Sequence, residues 1–248
     1  MKVSVIMVDG SFRENVYGAE YFARQDFQAG EFEVIWVEFY EKADERLYTI
    51  EGVKVITLGN SKDKIYHSSY CFNEGIKRAK GELLLIPDAD VIVRPDYIRR
   101  AWDVHLEYDK LVAYGYRYNE TENNRLDSIE FGELEQKCVI TNPTNYGGCL
   151  TVRKKWLLEI NGYEQHEAFQ SGFHANGRDI YTRFRNYGLA VQWEPSLKLY
   201  HPMHAFTAEK APEYQPQRKL IAWRDKNLEY LPLKGIDPSK NTKSAFPG

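Results

Sequence analysis

Short apolar runs alternate with amphipathic stretches along the first half of the chain. The apolar runs predict four strands, at residues 2–8, 33–39, 53–58 and 82–88. The stretches between and after them predict three helices, at residues 14–27, 68–79 and 95–107. Strands of this kind between helices are typical of a parallel sheet covered on both faces, so the pattern predicts an α/β fold.

The pattern becomes less regular after residue 110. Further strands are predicted at residues 111–118, 149–152, 191–193 and 198–201. Further helices are predicted at residues 156–160, 178–187 and 217–228. The polar stretch 119–143 predicts a surface loop, and residues 237–248 predict a tail.

Three of the predicted strands end in an acidic residue. Asp9, Glu38 and Asp88 stand at the ends of the first, second and fourth strands. In open parallel sheets, ligands bind beyond the carboxyl ends of the strands. These side chains are therefore expected on one ligand-binding rim.

Charge and cysteine content exclude several classes of protein. The chain has 33 Lys and Arg against 36 Asp and Glu, a net charge of −3, which argues against a dedicated nucleic-acid binder. No apolar run approaches the ~20 residues of a membrane-spanning helix, and the N-terminus turns polar too soon for a secretion signal. Cys71, Cys138 and Cys149 form no Cys-x-x-Cys pair, which excludes a zinc ribbon and favours free core thiols. A cytoplasmic protein is expected.

The segment Asp88-Ala89-Asp90 follows the most apolar strand and is the strongest candidate site. In extended backbone, side chains two residues apart point the same way, so both carboxylates are able to reach one cation. Mg²⁺ and Mn²⁺ prefer such oxygen ligands and often bridge to a diphosphate. The alternative is a turn, where Asp is common.

Three weaker candidates lie in the second half of the chain. His201, with His204 three residues on, is a candidate to complete a metal shell, or is an ordinary histidine. Asp179 stands at a predicted helix start, where a carboxylate suits a general base and equally an N-cap. Gly147 and Gly148 either let a ligand approach the backbone or form a tight turn.

These segments occur together in an order that resembles family 2 glycosyltransferases of the GT-A fold. The matching segments are VSVIMVDGSFREN (3–15), HSSYCFNEGIKRAKGELLLIPDADVIV (67–93), GGCLTVRKKWLLEINGYEQ (147–165), GRDIYTRFRNYG (177–188) and KLYH (198–201). The last is similar to a strand that supplies a histidine metal ligand in galactosyltransferase-like relatives. The resemblance implies a mainly parallel central sheet flanked by helices. It also implies a nucleotide-sugar half at 1–110, an acceptor half at 111–204 and a C-terminal extension at 205–248.

The resemblance also assigns roles residue by residue. Asp179 would be the catalytic base, although Arg178 replaces a Glu of the family motif. Asp88, Asp90 and His201 would hold Mn²⁺ or Mg²⁺. The donor-binding residues would be Asp9, Arg13, Glu38, Asn73, Asp88 and Gly148.

The implied activity is inverting, metal-dependent sugar transfer. The donor would be a nucleoside diphosphate sugar, and UDP is the expected nucleotide. The acceptor would be a hydroxyl of a glycan or lipid-linked saccharide, as in polysaccharide biosynthesis. Aromatic residues expected to stack on acceptor sugars, or simply to pack, are Tyr116, Tyr118, Tyr146, Phe173 and Trp193. The basic and aromatic stretch 218–224 fits either peripheral membrane contact or a helix packed on the domain.

Three alternatives stay open. A sugar-nucleotide nucleotidyltransferase shares the topology but usually has a basic, Gly-rich loop after the first strand, where this chain has DGSFREN. A non-catalytic sugar- or nucleotide-binding module would tolerate loss of the acidic residues and His201. A retaining transferase would not need Asp179.

Overall fold

The computed structural model describes residues 1–170, 175–204 and 215–247. Within these residues one eight-stranded sheet has the order β3-β2-β1-β4-β7-β6-β8-β5. Its strands are β1 Val3–Asp9, β2 Phe32–Tyr40, β3 Val53–Asn60, β4 Leu83–Pro87, β5 Ile92–Val93, β6 Leu111–Asn119, β7 Cys149–Arg153 and β8 Ala190–His201. The helices are α1 Tyr17–Ala23, α2 Ser68–Arg78, α3 Tyr97–Glu107, α4 Phe131–Lys137, α5 Lys154–Glu159, α6 Asn176–Tyr187 and α7 Gln215–Asn227.

The first half of the sheet confirms the predicted parallel α/β arrangement. Strands β3, β2, β1 and β4 run parallel to one another. Every residue of β1 and of β4 is buried, because separate apolar clusters cover the two faces of the sheet. This half places the carboxyl ends of β1, β2 and β4 side by side.

The second half makes the sheet mixed. Strand β7 is antiparallel to β4 and β6, β6 is parallel to β8, and the short β5 is antiparallel to β8. Two predicted short strands are one long strand, β8, whose register against β6 shifts between Gly115 and Tyr116. The irregularity coincides with Pro195, which lacks a backbone N–H and is tolerated at a bulge.

The predicted loop 119–143 contains a helix. Helix α4 buries Leu134 and contributes Phe131, and both pack with Cys138, Ile92 and Tyr200. The apolar residues follow helical spacing, but they are few within a polar stretch.

The C-terminal helix packs on the domain. In α7, Leu220 and Ile221 join a buried cluster with Phe169, and the Arg224 side chain is fully buried. This arrangement supports the packed-helix alternative for residues 218–224. Among the described helices, none combines the length and the apolar character needed to cross a bilayer.

The predicted tail is partly ordered by hydrogen bonds. The Asn161 amide donates to the Asp237 carbonyl, 2.9 Å, and to Asn241 Oδ1, 3.1 Å. The backbone N–H of Gly235 also donates to Asn241 Oδ1, 2.8 Å. Residues 235–241 are thus tied to the loop after α5.

Candidate active site

A cavity of about 460 Å³ opens beyond the carboxyl ends of the central strands. Asp9 and Glu38 are register partners at the ends of β1 and β2, and Asp88 follows β4, the neighbour of β1. The three acidic residues therefore share one rim, as the strand pattern predicts. Of these, Asp88 lines the cavity, together with Asp90.

Asp90 forms a cluster with two histidines. The carboxylate is buried, and His204 Nε2 lies 3.2 Å from its Oδ2 while His201 Nε2 lies 3.6 Å from its Oδ1. The two Nε2 atoms are 3.3 Å apart. One ligand atom from each residue falls within 4.8 Å of the others, so the three are able to bind one cation.

The chemistry of this cluster fits a divalent metal. Asp90 Oδ1 is buried and has no hydrogen-bond partner among the described residues, which leaves one oxygen available to a ligand. Mn²⁺ accepts both oxygen and imidazole ligands, whereas Mg²⁺ demands mostly oxygen, so the donor set suits Mn²⁺ better. Burial opposes ionisation of Asp90, but the positive charge of Arg13 and the neighbouring side chains of His201 and His204 outweigh it and hold its pKa well below the usual value.

Asp88 is paired with a guanidinium group. Its Oδ2 accepts a hydrogen bond from Arg117 Nη1 at 2.7 Å, and it does not belong to the cluster around Asp90. Burial raises the pKa of Asp88 despite Arg117, and the neighbouring Asp90 raises it further. The group that could hold a cation thus contains His204 beside the predicted Asp90 and His201, and the predicted role of Asp88 as a metal ligand stays a prediction.

Two guanidinium groups flank the acidic pair. Arg13 lines the cavity and hydrogen-bonds Asp90 through Nη1, while its Nε lies 3.8 Å from Asp9 Oδ1. Arg117 also lines the cavity and pairs with Asp88. The cavity thus presents two carboxylates, two guanidinium groups and two imidazoles.

Asp9 and Glu38 lie behind the cavity rather than in its lining. Glu38 accepts hydrogen bonds from the Ser11 backbone and hydroxyl and from the Tyr40 backbone, at 3.0–3.2 Å. It thereby holds the turn at Ser11, whose φ is 56°. Burial raises the pKa of Asp9 to about 6, although Arg13 opposes the shift and Glu38 adds to it. In this arrangement Glu38 supports the loop that carries Arg13, and the predicted donor contacts of Asp9 and Glu38 stay a prediction.

Asn73 and Gly148 also support the site from behind. Asn73 is fully buried and forms reciprocal hydrogen bonds with the Tyr163 backbone, at 2.7 and 2.9 Å. These bonds give Asn73 a structural role behind the site, and its predicted donor contact stays a prediction. The Gly148 carbonyl accepts the Asp88 backbone N–H at 3.1 Å, and it is Gly147 that lines the cavity.

Asp179 lies within a buried ion cluster. It is 1% exposed, lies 3.4 Å from Arg183 Nη1 and pairs with Arg224, which also pairs with Glu164. The cavity lining at the start of α6 is Asn176 and Gly177, and it does not include Asp179. These contacts do not favour the role of general base, which stays a prediction, because arginines hold the carboxylate away from the lining.

Sequence reasoning missed Arg117 and Asn145, which line the cavity. The signal for Arg117 is slight: it is the one charge in the aromatic run Tyr116-Arg117-Tyr118. Asn145 stands in a polar stretch with no pattern that singles it out. Of the aromatics predicted on the acceptor side, Tyr146 lines the cavity, and Phe173 lies outside the described residues.

Comparisons with known proteins agree with this architecture. Residues 40–160 match the model of the family described as glycosyl transferase family 2. No curated protein matches the chain.

Several solved structures share the fold of this chain. S. aureus TarS 1–349 in complex with UDP-GlcNAc aligns with a TM-score of 0.64 and 16% identity, over 92% of this chain and 69% of that one. The mannosyltransferase PcManGT from Pyrobaculum calidifontis, in complex with GDP-Man and Mn²⁺, gives 0.55 and 12%, over 90% and 69%. GalNAc-T7 with UDP, GalNAc and Mn²⁺ gives 0.60 and 12%, over 86% and 45%.

Proposed function

Because this chain is a glycosyltransferase of the GT-A fold, with residues 40–160 matching family 2, we propose that it moves a sugar from a nucleoside diphosphate sugar to a hydroxyl acceptor. UDP is the proposed nucleotide, and the acceptor is a glycan or a lipid-linked saccharide. The observation that carries the proposal is the cluster of Asp90, His201 and His204 inside the cavity, flanked by two arginines.

Different residues of the cavity would bind the metal and the diphosphate of the donor. Asp90, His201 and His204 would hold Mn²⁺, which offsets negative charge on a leaving diphosphate when it is bound. Arg13 and Arg117 would bind diphosphate oxygens, because guanidinium groups form paired hydrogen bonds with phosphate. The cavity is electrically balanced without donor, with two arginines beside two aspartates. The metal and a doubly charged donor add equal and opposite charge.

Aromatic side chains also line the cavity. Phe12 and Phe72 line it, and Phe72 stacks on Tyr163 with ring centroids 4.4 Å apart. Rings in this position would contact the nucleoside and keep water from the sugar carbon, where hydrolysis competes with transfer.

The proposed stereochemical course is inverting. The acceptor hydroxyl attacks the anomeric carbon from the face opposite the diphosphate, the bond to the diphosphate oxygen breaks, and the hydroxyl proton passes to a base. The resemblance assigns that base to Asp179, whose carboxylate is paired with Arg183 and Arg224 in this structure.

A donor-cleavage assay tests the proposal. Purified protein with Mn²⁺ is given UDP-, GDP- and other nucleoside diphosphate sugars, and the released nucleoside diphosphate is measured. Slow release from one donor is expected, and Asp90→Asn should reduce it by at least about tenfold because it weakens the metal site. The matched control is Asp103→Asn, an exposed aspartate on α3, which should leave the rate unchanged. Equal rates for both variants would contradict the metal site.

A further inference from the structure

The outer face of α6, next to the cavity, carries basic and aromatic side chains. Arg178, Tyr181 and Arg185 follow one another at spacings of three and four residues, so they lie on one face of the helix. The opposite face is buried through Ile180 and Phe184. Both arginines are exposed.

Aromatic rings from two other segments extend this face. Tyr146 lies 4.9 Å from Tyr181 and 5.6 Å from Trp193, measured between ring centroids. Tyr181 lies 6.0 Å from Trp193, and the Arg185 guanidinium lies 5.6 Å from the Tyr181 centroid. All three rings are half-buried, so each keeps part of its surface open to solvent.

The face is continuous with the cavity. Tyr146 and Gly177 both line the cavity. A Cβ placed on Gly177 would lie 2.7 Å from Tyr146 Cβ, so the start of α6 and this tyrosine are in close contact. A chain that leaves the cavity between them would pass onto Tyr181 and Trp193.

The ionic contacts of the two arginines bear on the kind of ligand that this face would bind. In the described part of the chain, neither Arg178 nor Arg185 forms an ion pair with a carboxylate. Other exposed arginines do: Arg78 pairs with Glu74, and Arg99 with Asp26. Two cations with no carboxylate partner among the described residues, beside rings that are open to solvent, favour a ligand that brings sugar surfaces and negative charge together.

We propose that this basic aromatic face binds the acceptor, and that the acceptor is an anionic glycan bearing carboxylate or phosphate groups. The inference rests on the proposed function, since it takes the cavity as the donor site. Tyr146, Tyr181 and Trp193 contact sugar rings, and Arg178 and Arg185 pair with the anionic groups. Transfer therefore occurs at a sugar unit next to Tyr146, with the charged remainder of the acceptor along α6.

Calorimetric titration with three probes tests the proposal. The probes are a short oligogalacturonate, mannopentaose phosphate and neutral maltohexaose, each with the full chain. Binding of at least one anionic probe is expected, and no binding of maltohexaose is expected.

Arg178→Gln and Arg185→Gln should each weaken the binding of the anionic probe about threefold or more, as expected for loss of one exposed ion pair. Added salt should weaken it further. The control is Arg24→Gln, an exposed arginine at the end of α1, which should change nothing.

The two anionic probes distinguish the two sources of negative charge, and binding of either supports the proposal. Equal binding of maltohexaose, or unchanged anionic binding in both arginine variants, would overturn it. UDP with Mn²⁺ is titrated into the same samples. Nucleotide binding without glycan binding would overturn the acceptor proposal alone, whereas glycan binding without any nucleotide binding would count against the donor site.

Discussion

Asp90 shows how strongly one residue can depend on its surroundings. Its position after a buried strand is visible in the sequence, and so is His201 at the end of a later strand. Arg13 hydrogen-bonds to Asp90, and Arg117 hydrogen-bonds to Asp88. Both contacts join residues that are far apart in the sequence, so they depend on how the chain folds. The sequence therefore predicts the acidic residues of the site better than their partners.

Burial separates the predicted residues that line the cavity from those that support it. Asp9 and Glu38 are predictable as strand ends, but their exposure depends on packing across the loop. Tyr66 lies on that loop so closely that a Cβ on Gly10 would be 2.5 Å from its ring. The sequence around residues 9–10 and residue 38 does not predict that Tyr66 packs on this loop, because Tyr66 is far away along the chain.

Two buried histidines should make stability depend on pH. His105 and His67 are 1% and 2% exposed, and burial lowers the pKa of each from 6.5 to about 4. The unfolded chain therefore binds more protons than the folded one between pH 6.5 and 4, and stability falls as the pH falls through this range. A shift of this size corresponds to about 3 kcal/mol at most for each histidine.

His105→Gln keeps a group that is able to hydrogen-bond to Thr151 and removes the titration. The free energy of unfolding, measured in urea from pH 7 to pH 4, should fall less steeply in this variant than in the wild type. Adding His67→Gln should flatten the curve further, because the sites lie apart and act independently. An unchanged slope would show that folding does not change the pKa of His105.

At the scale of elements, the apolar pattern of the sequence predicts most strands and helices. The pattern arises because both faces of the sheet are buried under the helices. The exceptions are instructive. Helix α4 has only two apolar side chains in a polar stretch, and β8 contains Pro195, which reads as a break in the sequence but lies at a bulge in the sheet. The direction of a strand relative to its neighbours is not predictable in the same way. The apolar pattern of β7 fits a parallel or an antiparallel strand equally well.

The contact between α2 and β1 depends on a glycine. A Cβ on Gly75 would lie 2.4 Å from Ile6 Cγ2, within a fully buried layer. Gly75→Ala should therefore destabilise the protein by about 1–3 kcal/mol, as overpacked cores do. Gly132→Ala in α4 is the control, because a Cβ there meets nothing within 4 Å and alanine favours the helix. Urea unfolding of both variants checks this, and equal stability of the two would show that the layer yields easily.

At the scale of the whole molecule, the C-terminal helix belongs to the structure that supports the site. Arg224 of α7 pairs with Asp179 of α6 and with Glu164 after α5, and all three are almost completely buried. Glu164 also accepts backbone N–H groups of Leu233 and Lys234, at 2.7 and 2.9 Å. One cluster thus joins the C-terminal segment to the helix whose start lines the cavity. The sequence alone does not reveal this connection.

Removal of the Arg224 guanidinium should destabilise the protein, because it leaves a buried carboxylate without its partner. Arg224→Met leaves Glu164 without its guanidinium, and a loss of about 3–5 kcal/mol in the free energy of unfolding is expected. Lys219→Met, an exposed lysine on the same helix, should cost little. If the two variants are equally stable, the cluster does not hold α7 in place.

Asp179→Asn tests the same cluster from the other side. Because Asp179 pairs with Arg183 and Arg224, the expected result is lower stability. Abolished transfer, with unchanged stability and unchanged nucleotide binding, would instead support the catalytic base implied by the family resemblance.

The most direct measurement is calorimetric titration of the wild-type protein with UDP, GDP and other nucleoside diphosphates, each with and without Mn²⁺. The account predicts that one of them, UDP first, binds clearly more tightly with Mn²⁺, and that Asp90→Asn removes the difference. No binding of any nucleotide, or equal binding with and without the metal, would contradict the central claim that this cavity is a metal-assisted site for a nucleoside diphosphate sugar.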